Sequence, residues 1–144
     1  MHIAAVLKRK GTGIITASPE DRIDAVARKL AHHKIGAVLV MRDDGRPAGI
    51  LSERDIVRAV AADGAAALER PVGDLMTRDL VTGSPSDTVS QIMGVMTQRR
   101  IRHLPILKDG ELVGLVSIGD IVKARLDDAE LEVESLRGYV AGMG

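Results

Sequence analysis

The sequence predicts an α+β fold of sandwich-like layers, in which two β-α-β-β-α repeats pack through their sheets about a pseudo-twofold axis. Three observations predict it. The first is an internal duplication. TASPEDRIDAVARKLAHHKIGAVLVMRDDGRPAGILSERDIVRA, from Thr16 to Ala59, matches TGSPSDTVSQIMGVMTQRRIRHLPILKDGELVGLVSIGDIVKA, from Thr82 to Ala124. The copies align at an offset of 66 residues up to Asp43/Asp109 and of 65 beyond it, matching Ser18/Ser84, Pro19/Pro85, Gly49/Gly114, Ser52/Ser117 and Asp55/Asp120. A repeat of this kind sets the architecture, because one unit of about 50 residues buries too little surface to stand alone. The second observation is a switch of apolar period within each copy, from helical to strand spacing. The third is an Asp-Gly turn at the same place in both copies, a strong hairpin signal.

Each copy yields its elements in the same order. A short apolar strand ends in Thr (Gly13–Thr16; Leu80–Thr82). Ser-Pro-x-Asp follows, with Ser18 or Ser84 predicted as a helix N-cap and Pro at the first helical position. An amphipathic helix then runs from about Glu20 to His33, with Ile23, Val26, Ala27 and Leu30 on one face. Val89, Ile92, Met93 and Met96 take those places in the second copy. Ala37–Met41 and His103–Leu107 read as β-branched strands, and Ala48–Leu51 and Leu112–Val116 as the return strands of the hairpins. A second helix starts at Ser52 or Ser117. Arg70–Arg78 joins the halves through a short helical turn at Val-Gly-Asp-Leu-Met, and Met1–Lys10 is expected to play the same part before the first half. These readings divide the chain into a first repeat with its N-terminal segment (1–69), a second repeat (70–127) and a helical tail (128–144). The acidic run from Asp127 to Glu134 reads as a solvated face.

Composition excludes several function classes. Lys plus Arg (20) equals Asp plus Glu (20), so no net field draws in nucleic acid or an anionic membrane. There is no cysteine, which removes disulfides, cysteine–zinc sites and thiol nucleophiles. Tyr139 is the only aromatic residue, so base stacking on aromatic platforms is unavailable and any purine must lie between aliphatic side chains and backbone. No apolar run reaches membrane-spanning length, and the short N-terminal stretch before Lys8-Arg9-Lys10 does not have the order of a secretory signal. The expectation is a cytoplasmic protein. His32-His33 face different sides of a helix and lack partners at ligand spacing, so no metal site is expected. No nucleophile elbow, P-loop or catalytic triad order is present, and no catalytic residue is assigned.

Three constellations carry the candidate chemistry. The first is Gly-x-x-Ser-x-x-Asp, as GILSERD at 49–55 and GLVSIGD at 114–120. It has two readings. In one it is a capping box, with Ser and Asp satisfying each other's backbone amides at a helix start. In the other Asp55 and Asp120 accept from the two ribose hydroxyls of a nucleotide, while the first helical amides face phosphate. Recurrence in both halves, after a glycine that permits close backbone approach, favours the second. The next is Arg102-His103 at the start of a core strand, two cationic donors suited to phosphate oxygens. Gly36 and Ala37 occupy those positions in the first half, so the two sites are expected to be unequal. The last is Arg54, a cation in the first turn of a helix, where it opposes the dipole and reads either as a phosphate contact or as a surface ion pair.

The duplication, the Thr-x-Ser-Pro start, Ile101-Arg102-His103-Leu104-Pro105-Ile106, the Asp-Gly hairpin and the repeated Gly-x-x-Ser-x-x-Asp resemble the tandem CBS domain, the Bateman module named after cystathionine β-synthase. The likeness covers residues 12 to 126, leaves no room for an enzyme or transporter domain, and implies a stand-alone regulatory pair. It implies an adenosyl ligand between the repeats: AMP, ADP, ATP, NAD(H) or S-adenosylmethionine. By the resemblance Asp120 and Asp55 would hold ribose. Ser117, Ser52, the amides of Ile118 and Gly119, and Arg102, His103 and Arg54 would lie near phosphate or ribose. Thr82, Thr16, Ile101, Leu104 and Pro105 would line the cleft. It also implies a homodimer and a regulated protein partner, while composition points to no nucleic acid and no membrane. The rival expectation is a constitutive structural or interaction module whose clefts are vestigial.

Overall fold

The computed structural model describes residues 1–11 and 13–143, the last five without their side chains. The first repeat is present as a β-α-β-β-α unit, and the second keeps the α-β-β-α part of that order. The first comprises β1 (Thr16–Ala17), α2 (Ile23–His33), β2 (Ala37–Met41), β3 (Pro47–Ser52) and α3 (Glu53–Asp63); α1 (Ile3–Lys10) precedes it. A 3₁₀ turn (Gly64–Glu69) and α4 (Val72–Leu75) lead into the second, with α5 (Val89–Arg99), β4 (His103–Lys108), β5 (Glu111–Ser117) and the long α6 (Ile118–Met143). The predicted tail is thus no separate element but the continuation of the second repeat's last helix.

In the first sheet β1 runs parallel to β2 across the α2 crossover, and β2 pairs antiparallel with β3 through the hairpin. Thr16 lies opposite Leu39 and Ala17 opposite Val40. In the second repeat the first strand shrinks to a single parallel bridge, Gly83 to Ile106, so the strand expected over Leu80–Thr82 does not form. The hairpins differ by the one lost residue. At the tighter turn Asp109 and Gly110 both take positive φ, 53° and 80°. That pair of left-handed residues is what a two-residue turn needs to follow the strand twist.

The expected caps at Ser18 and Ser84 are corrected. Each serine sits in a tight turn ahead of the helix, its amide donating to the Asp21 or Asp87 carboxylate at 2.9 and 2.8 Å. The carboxylates hold the turn, and the helices start later, at Ile23 and Val89. Arg22 stands at the first N-cap without a side-chain capping bond, whereas Thr88 and Gln91 form a full capping box at the second.

By contact the chain does not divide in sequence order. Met1–Thr12, Thr82–Lys108 and Val113–Gly144 form one compact unit; Gly13–Val81 with the hairpin tip Asp109–Leu112 forms the other. The reason is in the backbone. In α4 the Val72 and Gly73 amides donate to the Asp21 and Pro19 carbonyls, both at 2.8 Å, and the Arg70 carbonyl accepts from Ile23 at 3.0 Å. In α1 the Ile3 and Ala4 amides donate to Asp87 and Pro85 at 2.9 and 3.0 Å, and the Met1 carbonyl accepts from Val89 at 2.9 Å. The N-terminal helix therefore does for the second repeat what the linker helix does for the first. It has the role expected of it, on the other half.

The cores follow the apolar periodicity. Ile23, Val26 and Leu30 of α2 pack on Val38, Val40 and Leu51, with Val72 and Met76 closing the cluster. Ile92, Met96, Leu104, Ile106, Val116 and Ile121 are buried in the unit built on the second repeat, with Ile3 of α1. Gly94 lies inside α5 with open space where a Cβ would be. Gly94→Ala should therefore raise stability by about 0.5–1 kcal/mol through lost unfolded-state freedom, read as a higher urea midpoint.

Candidate functional site

The site grows from the turn at which each hairpin's return strand becomes a helix. In the first repeat Ser52 ends β3 and caps α3. Its amide and hydroxyl donate to Asp55 Oδ2 at 2.9 and 3.1 Å, and Asp55 N–H donates back to Ser52 Oγ at 3.3 Å. In the second, Ser117 N–H donates to Asp120 Oδ2 at 2.8 Å and Asp120 N–H to Ser117 Oγ at 3.2 Å. The capping reading of Ser-x-x-Asp is thus realised in both halves. The preceding residue of the core strand closes the turn: Glu53 N–H donates to the Gly36 carbonyl at 2.9 Å and Ile118 N–H to the Arg102 carbonyl at 2.8 Å. The Ile118 amide, expected to face phosphate, is occupied by this backbone bond. The same bond places Arg102 beside the Ser117–Asp120 turn.

The glycine that opens the motif has a packing duty. A Cβ on Gly49 would stand 2.7 Å from the Thr77 carbonyl oxygen and 2.8 Å from Met76 Sδ. On Gly114 it would collide with the Leu7 side chain. Leu7 occupies in α1 the place that Met76 occupies after α4, 69 residues on, as Ile3 does for Val72. The close approach read from the sequence as room for a ligand is taken up by these helical segments.

The halves differ in charge. Lys10, at the end of α1, donates to Asp120 Oδ2 at 2.7 Å and to the Leu115 carbonyl at 2.6 Å. Arg9 pairs with Asp127 at 2.6 Å. Arg9, Lys10 and Asp120, together with Val6, Lys123 and Ala124, wall a recess of about 110 Å³. Burial alone would push the Asp120 carboxyl up. The hydrogen bond from Lys10, the Ser117 amide, the Lys10 charge and the Ser117 hydroxyl outweigh it and hold the group below its ordinary value. The residue corresponding to Lys10 after α4 is Asp79, so Asp55 has no such cation in the matching place.

The remaining candidates separate into two groups. Arg102 and Arg54 are exposed, and among the described residues neither makes an ion pair. His103 is half-buried at the start of β4, and Gly119 lies exposed in the first turn of α6. Leu104 and Pro105 are buried, Leu104 fully and within 3.0 Å of where a Gly83 Cβ would stand. Ile101 is half-buried and its amide donates to the Met96 carbonyl at 3.0 Å. Thr16 lies in β1, its carbonyl accepting from Lys29 Nζ at 3.0 Å, while Thr82 is exposed ahead of the Gly83 bridge. A separate groove of about 450 Å³ lies between α2 and α3, floored by Leu30, Ile35 and Ile56. Sequence pattern alone does not mark Lys10 and its neighbours as site residues. The signal available was the weak likeness of Met1–Lys10 to Arg70–Asp79, which places the two segments in equivalent roles.

A family model described as the CBS domain matches the chain twice, over residues 10–62 and 72–127. The chain belongs to the CBS-domain family. Its CBS repeats have relatives over nearly their whole length. The mitochondrial CBS domain-containing protein CBSX3 of Arabidopsis thaliana is 33% identical over 148 residues, covering 97% of this chain and 72% of that protein. The crystal structure of a CBS-domain protein from Agrobacterium tumefaciens is 44% identical, with a TM-score of 0.84 over 87% of this chain and 99% of that one. The CBS-domain pair of protein MJ0100, crystallised with 5′-methylthioadenosine and S-adenosyl-L-methionine, shares the fold at 24% identity and a TM-score of 0.77, covering 90% of this chain and 98% of that one. Among the described residues no helix is long and apolar enough to cross a membrane.

Proposed function

We propose that this CBS-domain chain is a regulatory sensor that binds an adenosyl nucleotide, in the class of AMP, ADP, ATP, NAD(H) or S-adenosylmethionine, and is not an enzyme. The observation that carries the reading is Asp120: a half-buried carboxylate at a helix start, paired with Lys10 in a recess that Arg9 and Lys123 also line. A carboxylate takes two vicinal hydroxyls and nearby cations take phosphate, so the turn holds both parts of a nucleotide's polar edge. The adenosyl ligands of the MJ0100 pair support the class, not the particular compound. The mechanism is linkage: ligand binding at the turn stabilises one arrangement of the chain, with a coupling on the order of 1–3 kcal/mol, and a protein partner in the cytoplasm senses that arrangement.

Calorimetric titration with AMP, ATP, NAD, NADH and S-adenosylmethionine tests it. Binding of one compound, accompanied by stabilisation of about 2.7 kcal/mol at a hundredfold excess over Kd, is the expected result. A second reading is kept because the Ser52–Asp55 and Ser117–Asp120 caps are complete without a ligand. It makes the chain a constitutive interaction module, and silence with all five compounds would favour it.

A further inference from the structure

The ammonium of Lys10 holds an oxygen that a ribose would need. Asp120 Oδ2 accepts from Ser117 N–H at 2.8 Å and from Lys10 Nζ at 2.7 Å. A carboxylate oxygen has two acceptor positions, so these two bonds fill it. A vicinal diol takes both oxygens of a carboxylate, one hydroxyl on each. The recess around the pair is about 110 Å³. Pockets that take small molecules run to roughly 300–1,000 Å³, so a ribose phosphate enters only as the ammonium moves out. The first repeat differs. There Asp55 Oδ2 accepts from the Ser52 amide and hydroxyl, and the hydroxyl rotates away without leaving a charge unpaired. Asp79 stands there in the sequence position that Lys10 holds for the second repeat.

We propose, on the reading that Asp120 holds ribose, that Lys10 sets the specificity of the second-repeat turn. Its ammonium exchanges Asp120 for the phosphate of the incoming ligand. The turn therefore takes 5′-phosphorylated adenosine and rejects adenosine and S-adenosylmethionine. The exchange keeps every charge matched. Before binding, the ammonium faces the carboxylate. Afterwards the carboxylate carries the ribose hydroxyls and the ammonium faces phosphate. Lys10 also donates to the Leu115 carbonyl at 2.6 Å, a bond independent of Asp120, so the ammonium can change partner without leaving the recess. Arg9 is committed to Asp127, whereas Lys123 makes no ion pair among the described residues and adds a second cation for phosphate. Adenosine displaces the ammonium and offers it no anion in return. S-adenosylmethionine does worse, because its sulfonium takes the place of the first phosphate, beside two cations.

Calorimetric titration with adenosine, AMP and S-adenosylmethionine tests the exchange. It uses the full chain carrying Asp55→Asn, which confines binding to the second repeat, with wild type in parallel. AMP should bind at least about tenfold tighter than either other compound. Adding Lys10→Met should cut that preference about tenfold, weakening AMP and tightening adenosine, which no longer competes with the ammonium. Lys10→Arg keeps the charge and should keep most of the preference. A preference that Lys10→Met leaves unchanged overturns the proposal. So does adenosine binding that falls in step with AMP, the mark of a lysine that merely docks α1. Binding seen in wild type but lost in the Asp55→Asn chain overturns it too, while the sensor reading stands with its ligand in the first repeat. Silence from wild type and from both lysine variants overturns the sensor reading and this inference together. Urea unfolding confirms that each variant folds, since buried Ile3 and Val6 anchor α1 without Lys10.

Discussion

Gly49→Val should lower stability by about 3 kcal/mol, and Gly114→Val by less. The difference comes from what each new side chain meets. At Gly49 the Cβ would stand 2.7 Å from a backbone oxygen, that of Thr77. Thr77 cannot step aside, because it exchanges two hydrogen bonds with Ile50, at 3.0 and 2.9 Å. Accommodating valine means breaking that bridge and lifting Met76 from the core. At Gly114 the obstacle is the end of the Leu7 side chain, which rotates at modest cost. Urea unfolding of both variants measures the gap. Equal losses, or a loss below 1 kcal/mol at Gly49, would mean that the glycine is not kept for this packing. The same experiment bears on function. A Gly49 variant that folds weakly but binds nucleotide normally would put the motif's glycine with the scaffold.

The repeat, the hairpins and the second helices were legible because each rests on local signals: an Asp-Gly turn, a Ser-x-x-Asp start, a run of β-branched residues. The family followed from their order. The misplaced caps show where local signals compete. Ser-Pro-x-Asp is an acceptable helix start, but Asp21 and Asp87 fold back onto the serine amides, and the turn they make offers its carbonyls to a neighbouring helix. Which helix does so is a long-range matter. Nothing in Met1–Lys10 says that it joins residues beyond 82 rather than those it precedes. For that reason Lys10 escaped notice at the site although Asp120 did not. A carboxylate at a helix start announces itself by spacing, whereas a lysine more than a hundred residues away declares its role only once α1 is docked.

Asp120 carries two duties that substitution can separate. As part of the cap it needs one acceptor oxygen toward Ser117 N–H. As a nucleotide site it needs charge and two acceptors, since a ribose presents two hydroxyls. Asp120→Asn keeps an acceptor and the side-chain volume, so the helix start should survive with a loss of at most about 1 kcal/mol. Ligand affinity should fall at least thirtyfold, because charge-assisted bonds are the strong ones. Asp120→Ala should lose both, with about 1–2 kcal/mol of stability. The pH dependence follows from the lowered Asp120 value. The stability this carboxylate contributes is fully present above its unfolded value of about 4 and is lost as pH falls through the lower folded value. Wild type should therefore lose stability on acidification more steeply than Asp120→Asn, the two converging below the folded value. Lys10→Met should bring wild type toward the shallower profile, because the ammonium holds that ionised form in place. If Asp120→Asn binds nucleotide as wild type does, the carboxylate is a cap and nothing more, and ribose is held elsewhere.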